Sequence, residues 1–192
     1  MNGQPLGLFP LHTVLVPGAL IELRVFEPRY LDLVRECGRE GNGFGVCMII
    51  EGEEAGAAAT PAAFGTEARI EDFDTDDRGL LTLRVRGHRR FHVLRTRVRD
   101  NGLVVAEVEW RDPDPDDELR PEHAMLATLL QRILEQVGDA RVDAGPAQLD
   151  DAAWVGWRLC ELVPLSNLQR QALLQEDDPH ERLQSLLQWI SE

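Results

Sequence analysis

The side chains able to carry bond chemistry in this chain are few and badly placed for it. Three serines are present, Ser166, Ser185 and Ser191, and there is no lysine at all. A Ser-Lys dyad is therefore chemically impossible, and a phosphate-binding G-x-x-x-x-G-K-[ST] loop has no lysine to build it. The serines fall at a helix start, inside a helical pattern and at the C-terminus, positions that do not suit a Ser-His-Asp triad. The five histidines are His12, His88, His92, His123 and His180. His88 and His92 bracket Arg89-Arg90, whose charges repel a cation, and no cysteine, histidine or carboxylate cluster stands beside them. Cys37, Cys47 and Cys160 are odd in number and lack a C-x-x-C pair, so they read as small core hydrophobes of a reducing compartment rather than as ligands or redox thiols. The expectation is a protein without catalytic residues, metal or cofactor.

Charge and hydropathy narrow the partners. The formal net charge is −14, which opposes the phosphate neutralisation that nucleic-acid binding needs. The basic residues are nevertheless concentrated: Arg78, Arg84, Arg86, Arg89, Arg90, Arg95, Arg97, Arg99 and Arg111 face only Asp100, Glu107 and Glu109 in that stretch. Two readings stand, a solvated sheet face laced with ion pairs, which is the default, or an anionic-ligand groove. No apolar run approaches the roughly 18 residues needed to cross a bilayer, and the N-terminus lacks a signal peptide's basic and apolar regions. A soluble, cytoplasmic protein with no membrane partner is expected.

The elements that would position these residues fall into two kinds. Short apolar runs at Leu6 to Leu11, Val14 to Val16 and Ile21 to Phe26 are broken by Pro10 and Pro17-Gly18, as in a β domain. One helix starts at Pro28, with Tyr30, Leu31, Leu33, Val34 and Cys37 on or near one face, and ends at Gly38 or Gly41. Strands are predicted at Phe44 to Ile50, Thr66 to Asp72, Leu80 to Gly87, Arg90 to Arg97 and Leu103 to Trp110. Leu81, Leu83 and Val85 alternate with Thr82, Arg84 and Arg86, the period of a strand with one buried face. Gly87-His88 and Asn101-Gly102 mark reversals, the second a strong hairpin signal. Glu51 to Ala63, with no large apolar anchor, reads as a mobile loop. The acidic 112–118 segment, DPDPDDE, reads as a linker between a β-rich subdomain, 1–111, and a helical one, 119–192. In the latter Met125, Leu126, Leu129, Leu130, Ile133, Leu134 and Val137 give one broad apolar stripe. Ala152 to Val163, with Trp154 and Trp157, is apolar nearly all round and is the predicted central helix. Pro164 ends it, and Ser166 with Gln169, then Asp178 with Pro179 and Glu181, look like capping boxes opening two more helices. Trp110, Trp154, Trp157 and Trp189 are expected in the core.

Three blocks then resemble a known family in order and spacing: Leu8-Phe9-Pro10-Leu11, Val14-Leu15-Val16-Pro17-Gly18, and Leu23-Arg24-Val25-Phe26-Glu27-Pro28-Arg29-Tyr30 with Leu33-Val34. Together they resemble the opening signature of the Lon protease N-terminal, substrate-binding domain. Phe44-Gly45, Gly65 to Ile70, Gly87 with Arg90-Phe91, Leu162 to Leu165, Leu173-Leu174 and Glu181-Arg182-Leu183 extend the likeness over essentially the whole chain. Val16, where the family commonly has Phe, and Asp77-Arg78-Gly79, where a Gly-Arg order is more usual, depart from it. The resemblance implies an α+β fold: an N-terminal β-rich PUA-like pseudo-barrel with one inserted helix, followed by a C-terminal helical bundle. Glu27 and Arg29, flanking the helix-starting Pro28, read as a structural ion pair before a ligand contact, and Gly18 is placed to take a positive φ.

By the same resemblance the chain is expected to be a stand-alone, non-catalytic module that binds unfolded or exposed polypeptide, as an adaptor or modulator of a separate protease. An RNA-binding module using the arginine face is the alternative. The signature residues fix a fold, and the position of a ligand groove is not readable from them.

Overall fold

The computed structural model describes residues 5–138 and 144–192; the first four residues of the expected β-rich subdomain lie outside the described residues. The chain divides into two compact units, Met1–Asp112 and Pro113–Glu192, each described by itself.

The first unit holds β1 (Leu6–Leu11), β2 (Leu20–Val25), α1 (Pro28–Glu40), β3 (Phe44–Glu51), β4 (Thr60–Thr75), β5 (Leu81–Val98) and β6 (Val104–Trp110). Its strands neighbour one another in the order β2-β5-β4-β3-β1-β6, and β6 pairs back onto β5. Five strands therefore close into a ring, with β2 added outside it on the first half of β5. All pairs are antiparallel except β1 with β3, and that parallel pair needs the crossover that β2 and α1 supply. The architecture is the pseudo-barrel with one inserted helix that the motifs imply. Leu8, Cys47, Phe91, Val104 and Ala106 form one buried cluster in the barrel, and Phe9 stacks on Tyr30 with ring centroids 4.1 Å apart.

Several local expectations are corrected. No reversal occurs at Gly87-His88, because β5 runs unbroken through both. Gly87 is there for close approach: a Cβ at this position would lie 2.2 Å from the Val16 carbonyl oxygen. Val14 to Val16 is not a strand but a buried segment without regular structure, pressed against β5 and followed by Gly18 at φ 80°, a conformation few other residues adopt. The Gly18 N–H donates to the Gly87 carbonyl at 2.8 Å, and the Gly87 N–H donates to Ala19 at 2.9 Å. β4 begins at Thr60, earlier than its apolar pattern suggests, because Thr60 and Pro61 pair with Glu51 and Ile49. The loop before it is tied down: the Glu54 carboxylate accepts from the His12 N–H at 2.8 Å, and Glu27 accepts from the Gly56 N–H at 3.1 Å.

The second unit holds a 3-10 turn at Pro121–His123, α2 (Ala124–Val137), a short α3 (Pro146–Leu149) with no counterpart in the sequence reading, α4 (Ala152–Leu162), α5 (Asn167–Gln175) and α6 (Pro179–Ser191). α4 is central: it packs against α2 and α6, and Val155, Leu159 and Cys160 of α4, Leu126 and Leu130 of α2 and Leu183 and Leu186 of α6 are all buried. The α2 stripe is narrower than its composition suggests: Met125 is exposed because it lies off the Leu126–Leu130 line, and Val137, the last residue of the helix, is exposed although it continues that line. Ser166 and Gln169 form the reciprocal capping box. At Asp178 the box is one-sided. Its carboxylate accepts from the His180 N–H, but its own N–H donates to Glu176 at 3.0 Å, not to Glu181. The acidic segment read as a linker packs on this unit. Asp114 accepts from the Trp157 indole N–H at 2.7 Å and ion-pairs with Arg182, whose guanidinium lies 3.9 Å over the Trp157 ring.

Candidate functional site

Glu27, Pro28, Arg29 and Tyr30 of the signature open α1, where Phe9 stacks on Tyr30. Glu27 is the N-cap, Pro28 occupies the first turn, and Gly41 ends the helix in the left-handed conformation, the pairing of Pro at the start and Gly past the end expected of a helix. Arg29 is buried and ion-pairs with Glu27 at 3.3 Å, donates to the Gly102 carbonyl at 3.2 Å, and lies 4.8 Å over the Tyr30 ring. Burial raises the Tyr30 pKa, against the pull of the Arg29 charge. Phe9 and Leu11 are core residues of β1, which also contains Pro10; Pro17-Gly18 is the turn, Phe91 is fully buried, and Arg90 is buried beside it. Phe26 alone among the signature aromatics faces solvent, 62% exposed.

The arginine stretch is largely paired. Arg86 bonds Glu71, Arg89 bonds Glu67 at 3.1 Å and stacks 3.8 Å over Trp110, Arg95 bonds Glu107, Arg99 bonds Glu36 at 3.1 Å, and Arg84 reaches Glu22 at 3.8 Å. The hydrogen bond from Arg86 holds the Glu71 carboxyl below its ordinary range. Burial, then the Arg69 charge, lowers the His88 pKa, so the ring is neutral at physiological pH. His92 stacks on Phe64 at 4.5 Å. The three cysteines are buried, and burial pushes Cys37 up to about 11 and Cys47 and Cys160 up to about 12. Among the described residues no group of three His, Cys, Asp or Glu side chains is placed to hold a metal ion.

A concavity is present where no single motif pointed. α1 and the far half of β4 form an open groove of about 650 Å³, with Val34, Cys37, Gly38 and Gly41 on the helix side and Ile70, Phe73, Leu81 and Leu83 on the sheet side. α1 makes its wall because Tyr30, Leu33 and Cys37 turn one face to the barrel, which leaves Val34 at its margin. The Cys37 thiol donates to the Gly43 carbonyl at 3.6 Å and, with its raised pKa, stays uncharged. β3 pairs with β4 only as far as Ala68, so from Arg69 to Thr75 β4 is paired with β5 on one side and, among the described residues, with no strand on the other. Phe73, directly across from Leu83, is 69% exposed. A strand edge, an apolar floor and an exposed aromatic ring thus share one place. The only sequence signal for it was a lone Phe within the acidic run EDFDTDD.

Barrel, inserted helix and helical unit define a mixed α+β module of the PUA-like kind, with an apolar groove along a strand edge. The chain belongs to the ATP-dependent protease La (LON) substrate-binding domain family, whose model matches residues 5–192. It is similar to the solved structure of a Lon N-terminal domain protein from Xanthomonas campestris, with 62% identity, a TM-score of 0.83, and 97% of this chain and 98% of that one covered. It is similar in fold to the N-terminal domain of the Mycobacterium avium complex Lon protease, at 18% identity and a TM-score of 0.69, covering 98% of this chain and 99% of that one.

Proposed function

We propose that this protein is a non-catalytic module that binds unfolded or exposed polypeptide and presents it to a separate protease, as an adaptor or modulator in protein quality control. The observation that carries this reading is the apolar groove lying along an unpaired strand edge. Unfolded chains differ from folded proteins in offering both apolar side chains and free backbone, and such a groove takes both. Membership of a family described as substrate-binding supports it. The buried, protonated cysteines suit a reducing compartment, consistent with the cytoplasm. The RNA alternative is weakened by the ion pairs on the arginine face, because arginines already neutralised release few counterions from a phosphate backbone.

The test is fluorescence anisotropy with labelled lysozyme that has been reduced and carboxamidomethylated so that it cannot refold, with native lysozyme and single-stranded RNA run alongside. The native form carries nearly the same charge and controls for plain electrostatic attraction. Saturable binding of the unfolded form alone, persisting as salt is raised, is expected, since apolar burial tolerates salt. Binding confined to RNA, collapsing with salt, refutes the proposal.

A further inference from the structure

Residues 69–75 of β4 present an edge whose chemistry is two-faced. Phe73 sits across from Leu83 and, with Ile70, on the face that lines the groove. A register shift between Ile70 and Asp72 puts Ile70 and Phe73 on one face, while Asp72 and Asp74, across from Arg84 and Thr82, alternate to the other, Asp72 also bordering the groove. Arg84 does not answer Asp72, since its guanidinium reaches toward Glu22. The outward N–H groups are occupied in an unusual way: the Phe73 N–H donates to the Asp72 carboxylate and the Thr75 N–H to the Asp74 carboxylate, each at 2.9 Å. Each carboxylate thus caps the backbone donor that a neighbouring strand would use. An incoming strand that takes over those N–H groups releases two carboxylates, and a released anion is best answered by a cation on the same face of the newcomer.

We propose that β4 residues 70–75 are the strand-addition site for an extended polypeptide with alternating apolar and basic side chains. Its apolar side chains lie over Val34, Leu81 and Leu83 beside Phe73, and its basic ones meet Asp72 and Asp74. The proposal rests on the polypeptide-binding reading and adds the site, the mode and the preferred sequence. Charge complementarity selects this occupant: in the run from Arg69 to Asp77 Arg69 is bonded to Glu67 at 3.2 Å and Glu71 to Arg86, which leaves the negative charge of Asp72, Asp74, Asp76 and Asp77 on this edge. Two other open stretches do not line the groove: the outer edge of β2, which among the described residues pairs only with β5 and carries both Glu22 and Arg24, and β5 beyond its pairing with β4, which has exposed Leu94 and Val98 but carries Arg95 and Arg97.

The test compares short labelled peptides of alternating lysine and valine and of alternating glutamate and valine, together with the unfolded lysozyme, on the full chain and three variants. Thr75→Pro removes an N–H that faces away from β5, a substitution an edge strand tolerates, and blocks strand addition. Asp72→Asn with Asp74→Asn keeps the shape and removes the charge. Leu168→Ser, at an exposed site of α5, is the control. The lysine peptide is expected to bind and the glutamate peptide not. Thr75→Pro should weaken the lysine peptide and the unfolded lysozyme roughly tenfold or more, through the lost backbone bond and the clash that replaces it. The double Asn variant should weaken the lysine peptide roughly three- to tenfold, what two exposed ion pairs supply. If Thr75→Pro and the double Asn variant bind unfolded lysozyme as tightly as the unaltered chain, the site is elsewhere and polypeptide binding stands. If the unaltered chain binds no polypeptide, both readings fall.

Discussion

Arg182→Met strips the guanidinium from a site that water cannot easily refill. The Arg182 side chain is 1% exposed and that of its partner Asp114 15%; Arg182 also donates through Nε to the Glu176 carbonyl at 2.9 Å and stacks on Trp157. Methionine replaces most of the volume, so the loss is electrostatic rather than a cavity. Deleting one partner of a buried pair costs about 3–5 kcal/mol. Asp114 retains the Trp157 indole N–H at 2.7 Å, so a loss just below that range, about 2–3 kcal/mol, is expected. Urea unfolding followed by tryptophan fluorescence is a suitable assay, because Trp154, Trp157 and Trp189 lie in the helical unit and only Trp110 in the barrel. With a slope near about 2 kcal/mol/M the midpoint should fall by roughly 1–1.5 M. The double variant Arg182→Met with Asp114→Leu should recover much of the loss, since an apolar pair leaves no charge stranded. A single variant within about 0.5 kcal/mol of the parent, or a double variant no better than the single, would refute the reasoning.

Two further perturbations probe the rest of the fold. Gly87→Ala places a Cβ against the Val16 carbonyl, where backbone must move and the two hydrogen bonds to Gly18 and Ala19 are at stake; a loss of about 2–4 kcal/mol in urea unfolding is expected, and an unchanged midpoint would show that the strap yields freely. The thiols Cys37, Cys47 and Cys160 should react with a disulfide reagent at pH 8 only as the chain unfolds, because their folded pKa values of about 11 to about 12 lie above the ordinary 9.0. Below pH 9 both states keep these protons; between 9 and 11 or 12 the unfolded chain loses them first, so stability should fall as pH rises through that window, by at most roughly 1.4 kcal/mol per pH unit for each thiol. Fast labelling of the folded protein at pH 8 would contradict this.

What was legible in the residues was what local chemistry dictates. Pro28 and Gly41 bound α1 because one needs no N–H and the other accepts a positive φ, and Asn101-Gly102 turns β5 into β6. Ser166 with Gln169 opens α5 for the same kind of reason. Contacts between distant segments were not legible. Gly87 carries the same letter whether it turns the chain or admits Val16 against a strand, and only the fold decides. Asp114 looks like linker composition until Trp157 and Arg182 are beside it. The groove leaves no mark in the sequence because it is made by where β3 stops pairing, after Ala68, and no spacing rule marks the place where a strand outruns its neighbour.

The most direct measurement of the central claim is hydrogen exchange by mass spectrometry on the full chain, with and without saturating unfolded lysozyme. Strand addition on β4 should slow exchange in peptides spanning Ile70 to Thr75, at Phe73 and Thr75 above all, while β6 and α4 stay unchanged. Protection confined to the arginine-bearing half of β5, or no protection anywhere at saturation, would contradict the account.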